Sequence, residues 1–595
     1  MKNQDTTTSE TNEHISDEYD PIKHFDLDIC SHFHLPISYL DSKNILKENI
    51  IEDLELIKPT DASGNAIFTQ TFGSSSYQAN AVMKELPKYY TSNVDYLKDT
   101  QKLLKGFGSK RNSETDEQVR EAVNIWKEIK GDTGFLDKFH YIGWEKWKHL
   151  NEQEYVLQFI SMYSLSSPVL SLMVPFIICI IPLIVLKTRG IDITWQEYKS
   201  VLKVVAANHA LCKIFTSFWQ VSVEQKVYLL LSTALYVYSI YQNFLTCLRF
   251  YNNMKKMHAD ILRIRKYLSF TDDAMTHFLN QCSSLTTYSP FVKEVETNKE
   301  KLIAFKKRIN GVYGETICLQ NVGQIGSMMK HFYEMFSSEE CNSIFLYSFG
   351  FHGFLENLDG LRDHIKKKNI GFSTFKKKGK QIFKKAYYGA HVLEKRVTND
   401  IGIDDSLIIT GPNASGKTTT LKTSLVNVIL TQQFGCGYYK SGNIIPFEHI
   451  HCYLNIPDTS GRDSLFQAEA RRCKDIIDII QKHRKERHFC VFDELYSGTN
   501  PDEAVVSATA FMRYIIANTK VRCILTTHFV SVCKSLEAEN NVKNYHMHTE
   551  VTKTKSDKSF KYTYILKKGI SEVKGGLKVL SDMHYPAEIL KNTQI

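Results

Sequence analysis

The chain has 595 residues, with 74 Lys and Arg against 65 Asp and Glu, a formal net charge of +9, and 43% hydrophobic residues. That length holds three or four domains with sizeable cores and excludes a small stapled scaffold. The mild basic excess permits nucleic acid or acidic lipid as a partner without demanding either. The 13 cysteines, odd in number and without a C-x-x-C pair, point to a reducing compartment and away from a zinc site or disulfide framework.

Residues 1–35 open the chain as an expected disordered tail. Met1 to Ile29 is polar and acidic and fits neither a signal nor a transit peptide. Residues 36–150 read as a helical core segment, with apolar residues at helical spacing over Ser42 to Leu56 and Glu114 to Ile129. In 151–250, no charge falls between Tyr155 and Leu186, and Val169 to Leu186 is almost wholly apolar. Such a helix, rising 1.5 Å per residue, can cross a hydrocarbon core of about 30 Å. Val227 to Leu248 is a second uncharged stretch, richer in tyrosine, between Lys226 and Arg249. Pro168, Pro175 and Pro182 would kink the first helix, which membrane helices tolerate. The pattern predicts a two-pass transmembrane helix pair, about 169–186 and 227–248, with both chain ends in the cytosol. Basic residues from Arg249 to Lys266 follow the second span, as the positive-inside tendency expects. A buried helix pair in a large helical domain is the competing reading.

Residues 251–385 read as a helical lever region, with Ile261, Ile264 and Leu268 spaced three and four apart, followed by a basic segment. From Arg362 to Lys385 that segment carries ten Lys and Arg residues interleaved with Phe372, Phe375 and Phe383. It suits DNA phosphates or acidic head groups, or is a solvated entry to the next domain. Phe332-Tyr333-Glu334-Met335-Phe336 falls within a helical pattern, and its F-x-E spacing reads as coincidence.

Residues 386–595 carry the chemistry. Gly411-Pro412-Asn413-Ala414-Ser415-Gly416-Lys417-Thr418 fits G-x-x-x-x-G-K-[ST], with Thr419 following. A buried strand, Ser406 to Ile409, precedes it, and a helix over Leu421 to Leu430 follows. Glycines 411 and 416 let backbone N–H groups converge on phosphates, Lys417 supplies a cation, and Thr418 can ligate Mg²⁺. Phe489 to Phe492 is a hydrophobic strand delivering Asp493, a second Mg²⁺ ligand, and Glu494, which can orient or deprotonate water. The strand Arg522 to Thr527 delivers His528, placed to sense a γ-phosphate. The expected fold class is an α/β P-loop ATPase domain at the C-terminus, preceded by a mainly helical region with two membrane-length helices.

As a set, Thr410-Gly411-Pro412-Asn413, Asp493-Glu494 with Gly498-Thr499, and Thr527-His528 resemble the ATPase domain of the MutS mismatch-repair family, an ABC-type ATPase. Phe434 to Tyr438 with Pro446-Phe447, Ser464-Leu465-Phe466-Gln467-Ala468-Glu469, and a tail from Tyr564 through Gly576-Leu577 to Leu590 extend the likeness. No L-S-G-G-Q signature of transporters or SMC proteins is present. Asp493-Glu494-Leu495-Tyr496-Ser497-Gly498-Thr499 lacks the arginine of the family's D-E-x-G-R-G-T, and Ala414-Ser415 replaces Met-Gly, so the branch is divergent. The resemblance implies ATP and Mg²⁺ as cofactors, a homodimer or MutS-like heterodimer, and Ser464 reaching nucleotide in trans. It implies catalytic roles for Lys417, Glu494 and His528, and ATP-driven dimerisation coupled to mismatched or structured DNA. The alternative expectation is a membrane-anchored mechanical ATPase without mismatch recognition.

Overall fold

The computed structural model describes residues 25–60, 64–190, 194–208, 214, 218–310, 323–376, 379–390, 396–456, 464–554, 557–571, 573 and 585–586. Most of the expected tail, Lys377 and Lys378, and the tail motifs at Gly576-Leu577 and beyond Pro586 lie outside these residues. The fold is mixed. One compact unit is made of 112–272 and 300–345, and a second of 25–111, 273–299 and 346–595.

The first unit is helical. Its helices include Ser113–Gly131, Glu154–Thr188, Trp195–Asn208, Ile325–Ser337 and most of the 60-residue Val223–Cys282. Ile261, Ile264 and Leu268 are buried, as their spacing predicts. Phe332, near the end of Ile325–Ser337, is core, and Phe135 stacks on Phe336 at 4.2 Å between ring centroids. The two apolar stretches meet at Ser171. Tyr236 Oη donates to Ser171 O at 2.7 Å, and Asn243 Nδ2 donates to Ser171 Oγ at 2.6 Å.

The expectation of two membrane-length helices is corrected here. Among the described residues one stretch, Glu154–Val174, is long and apolar enough to cross a membrane by length and composition, with mean hydropathy 1.3. It begins well before the expected 169–186. The stretch at 227–248 is not a second, because Tyr228, Tyr236, Tyr238, Tyr241, Gln242 and Asn243 dilute its apolar content.

The second unit is built on a six-stranded sheet. Its order is Asp557–Lys568, Val542–Thr554, Ser406–Thr410, Val521–Thr527, His488–Asp493, His449–Tyr453. Five strands run parallel, and Asp557–Lys568 returns antiparallel. Side chains alternate across a strand. Ile408, Cys490, Phe492, Cys523 and Leu525 therefore share one core with Ile476, Ile480, Phe511, Met512 and Leu536 of helices Leu465–Lys482, Pro501–Ile516 and Val530–Leu536. The helix Lys417–Phe434 is buried over nearly its whole length. Its two glutamines near the end are spent on backbone. Gln432 Nε2 donates to Thr91 O at 3.1 Å and Phe447 O at 2.8 Å, and Gln433 Nε2 donates to Leu86 O and Tyr89 O, both at 2.9 Å.

Those glutamines draw the 25–111 segment into this unit. The helix expected over Ser42 to Leu56 is replaced by a strand, Lys43–Ile45, and a short helix, Glu48–Asp53. The strand's backbone is satisfied by Tyr89–Thr91 across an antiparallel ladder. The tail is helical from Phe25 to His32, with Ile29 buried. A five-stranded sheet holds Gly371–Thr374 and Ile382–Ala386 of the basic segment. Phe383 is fully buried and stacks on Tyr439 at 4.9 Å, while Lys376, Lys380, Lys384 and Lys385 are exposed. The lysines are free for an anion; Phe383 is core.

Glu356 shows how this unit closes. Its carboxylate accepts from Ser75 N and Ser76 N, both at 3.0 Å, and pairs with Arg111 at 3.0 Å. Burial works to raise its pKa, but the Ser76 hydrogen bonds and the Arg111 charge win and hold it below 4.5. A depressed carboxylate stabilises fully above its unfolded pKa and loses that contribution as pH falls through the folded value. Glu356→Gln should cost about 3 kcal/mol in denaturant unfolding at pH 7. The difference from wild type should shrink as pH drops below 4.5. A pH-independent difference would contradict this account.

Candidate functional site

The strand Ser406–Thr410 is buried at every residue and lies between Val542–Thr554 and Val521–Thr527. At its carboxyl end the chain turns at Gly411, with φ of 156°, passes Ala414 at 61°, and enters the helix through Gly416 at 94°. A Cβ on Gly411 would stand 2.8 Å from Ser415 Oγ, and one on Gly416 would meet the Tyr564 ring at 3.1 Å. Left-handed backbone and close approach are what glycine permits. The helix begins at Lys417, so the unpaired N–H groups of its first turn lie at the mouth of this loop.

Lys417 is 5% exposed. Its Nζ donates to Gly411 O at 3.0 Å, Asn413 Oδ1 at 3.2 Å and Pro412 O at 3.4 Å, and lies 3.4 Å from Glu494 Oε1. Asp493 ends its strand in register with Thr526, which donates to Asp493 Oδ1. Thr418 Oγ1 donates to Asp493 Oδ2 at 2.8 Å. The two oxygen ligands expected from sequence are thus brought into contact. Glu494 sits just past the strand in left-handed backbone, φ 49°, with its N–H bonded to Thr526 O at 3.0 Å. Its carboxylate is 3.6 Å from His528 Nδ1. The His528 hydrogen bond, opposed by burial and aided by the Lys417 charge, holds Glu494 below the usual carboxylate range, so it is ionised at neutral pH.

These groups open onto a cavity of about 740 Å³. Pro412, Asn413, Ala414, Gly416, Lys417, Thr418, Thr419, Asp493 and Glu494 line it together with Tyr387, Tyr388, Val397, Ile401, Met547 and Tyr564. A lining that joins charged groups with apolar and aromatic ones suits a phosphorylated ligand with a planar base. Ser415 Oγ is buried in the loop without a protein hydrogen-bond partner. That orphaned hydroxyl, the converging N–H groups and the Thr418–Asp493 oxygen pair fit a phosphate chain and a hard divalent cation. The aromatic and apolar lining residues carried no signal in the motif; they come from three separate stretches of chain.

Ser464 caps the helix Leu465–Lys482. Its Oγ accepts from Gln467 N at 3.3 Å, and Gln467 Oε1 accepts from Ser464 N at 3.0 Å, a reciprocal capping box. It does not line the cavity. Glu469, one turn on, has a role that sequence alone did not reveal. Buried to 2% exposure, it accepts from Ser497 N and Ser497 Oγ, both at 3.0 Å, and from Gly498 N at 3.2 Å. It fixes the loop that follows Glu494. The tightness shows at Gly498, where a Cβ would stand 2.8 Å from the Leu465 side chain.

Residues 407–595 match the family model of MutS domain V. The chain is similar to MutS protein homolog 4 of Mus musculus, 28% identical over 209 residues, which is 33% of this chain and 21% of that protein. It is also similar to the DNA mismatch repair protein MutS of Aquifex pyrophilus, 26% identical over 215 residues, covering 35% and 24%. The DNA mismatch repair protein Msh3 of Dictyostelium discoideum is 28% identical over 196 residues, covering 31% and 13%. The likeness spans about a third of this chain and a quarter or less of each relative. The span matched by the family model includes the loop, both strand ends and Glu469.

Glu469→Ala would remove the acceptor that holds the exposed Ser497 and Gly498, at about 1 kcal/mol for each hydrogen bond lost. Where the cavity takes a nucleotide and hydrolyses it, the variant should lower turnover more than tenfold while changing nucleotide affinity little, read by steady-state hydrolysis beside equilibrium binding. Equal losses in both would show that the residue merely supports the fold.

Proposed function

We propose, from the MutS domain V likeness of residues 407–595, that this protein binds and hydrolyses ATP and couples ATP-driven dimerisation to mismatched or structured DNA. The observation that carries this reading is the meeting of Lys417, the Thr418–Asp493 pair and Glu494 on the wall of one cavity, with His528 3.6 Å from Glu494. Thr418 and Asp493 would hold Mg²⁺, which when bound supplies charge neutralisation on phosphate oxygens. Lys417 and the N–H groups of Gly411 to Thr419 bind and orient the phosphates. Glu494, ionised and close to His528, positions water and takes its proton. His528 holds the carboxylate in place and can sense the terminal phosphate. Tyr388 and Tyr564, which line the cavity, offer rings for the base to stack on. Ser464 would approach nucleotide on an opposite subunit, its capping box presenting the helix N-terminus to the γ-phosphate.

The exposed lysines of the basic segment supply the charge for DNA phosphates. The three relatives include proteins named for DNA mismatch repair, and that activity is carried here as an expectation for the dimer.

Lys417→Ala should abolish ATP binding, and Glu494→Gln should bind ATP, accumulate as dimer and turn over at least about 100-fold more slowly. Normal turnover in either variant would sink the assignment. For the full-length protein, ATP-dependent binding that prefers mismatched or branched duplex over matched duplex and persists at moderate salt is expected. Binding that ignores structure and vanishes with salt would remove the DNA reading.

A second reading concerns the paired apolar helices. Phe159 is 73% exposed, Phe176 61%, Leu231 59% and Phe244 56%. Contiguous exposed apolar surface of this kind marks contact with lipid or a partner. The apolar helix beginning at Glu154 would then lie in a bilayer and anchor a cytosolic ATPase. Alkaline carbonate extraction of membranes should leave the protein in the pellet; full release would refute anchoring.

A further inference from the structure

A group of imidazoles unrelated to the nucleotide cavity gathers at the amino ends of the two outermost parallel strands. His449 opens the edge strand and pairs in register with His488, which opens the next. His483 is the C-cap residue of the helix Leu465–Lys482, and Glu486 follows one turn later. Glu486 Oε2 lies 2.5 Å from His449 Nε2, and Glu486 Oε1 lies 3.3 Å from His483 Nδ1. One ligand atom from each of His449, His483 and Glu486 falls within 4.8 Å of the other two.

Behind them the hydrogen bonds fix a tautomer chain. His488 Nε2 is 3.0 Å from His483 O, a carbonyl that can only accept, so Nε2 carries the proton. His488 Nδ1 is then an acceptor, and His451 Nε2, 3.1 Å away, must donate to it. His451 Nδ1 is left as a bare, buried lone pair without a protein partner. Both inner rings are buried and neutral, and the His449 ring lies flat on His488, centroids 4.7 Å apart and planes 16° apart. This backing holds the His483 main chain and the His449 ring, and leaves their ligand atoms facing Glu486.

We propose that His449, His483 and Glu486 bind one divalent cation of the zinc class, with an open position for water. Two imidazoles and a carboxylate suit Zn²⁺ or Co²⁺ rather than Mg²⁺, which prefers oxygen. Bonds of 2.0–2.1 Å need tetrahedral ligands roughly 3.3 Å apart. The observed separations bracket that value, and all three side chains are partly exposed and able to adjust. The cation would sit at the C-terminus of an 18-residue helix, the negative end of its dipole. The nearby Arg487 is engaged elsewhere, its Nη2 donating to Gln381 Oε1 at 3.0 Å and its guanidinium over the Phe447 ring. The scattered cysteines argued against zinc, but that argument reaches cysteine ligands alone.

The test is Co²⁺ titration of tag-free, chelator-treated full-length protein without nucleotide, followed by absorption and by competition with Zn²⁺. One equivalent with the intense visible bands of a tetrahedral site is expected, displaced by Zn²⁺. The double variant His449→Ala, His483→Ala should lose it, by more than the about 10–100-fold that follows removal of an outer-shell partner. Should that variant fail to fold, Glu486→Gln, which can still accept hydrogen bonds from both imidazoles, decides by the same loss. Equal uptake in wild type and the folded variant, or a weak six-coordinate spectrum, would overturn the proposal and leave an imidazole–carboxylate ion-pair cluster.

Discussion

The register of three parallel strands is the constraint on which the site depends. Thr410 pairs with Thr527, and Asp493 with Thr526. Because the strands are parallel, their carboxyl ends finish on one rim, and because they are buried, the register cannot slip by one residue without turning apolar side chains outward. Phosphate loop, carboxylate pair and histidine come from stretches more than thirty residues apart, yet each stands within hydrogen-bond or ion-pair reach of the next. Nothing holds Asp493 against Thr418 except this alignment and the Thr526 hydroxyl beside it.

Much of that rim could be read in advance. The glycines, the lysine and the two carboxylates are local signals, since a strand, a tight left-handed turn and a helix start each demand particular residues within a few positions. The expected strands agree with those found to within one residue at each end, and the expected helix Leu421 to Leu430 falls four residues short at each end of Lys417–Phe434. Glu469 and the aromatic half of the cavity were not readable, because their roles lie in partners brought close only by tertiary folding. The basic segment was half readable. Charge gave away the exposed lysines, while Phe383, interleaved among them, proved to be core against Tyr439.

The helical regions were harder, for a different reason. A 3.6-residue period announces a helix without saying what covers it. Residues 25–111 look like a prelude to the helical unit, yet Gln101, Gln432 and Gln433 tie them to the α/β unit through backbone carbonyls. Amide side chains carry no such message in sequence. The apolar stretches show the converse problem. Counting uncharged residues gave two spans, but tyrosine and asparagine lower the second, and Asn243 and Tyr236 are used to bond the first helix.

The resting position of Lys417 has a consequence for how a catalytic cycle would begin. Its ammonium is already solvated by the loop's own carbonyls and shares Glu494 with His528. On the proposed reading, arrival of a phosphate is a substitution, with the lysine exchanging one set of oxygens for another. Apparent affinity would then report the difference between two solvations. The same exchange loosens Lys417 from Glu494, so the base becomes available in step with its substrate. Water activation would be withheld by an internal counter-ion until there is a phosphorus to attack, an interlock built from a single side chain with two suitors.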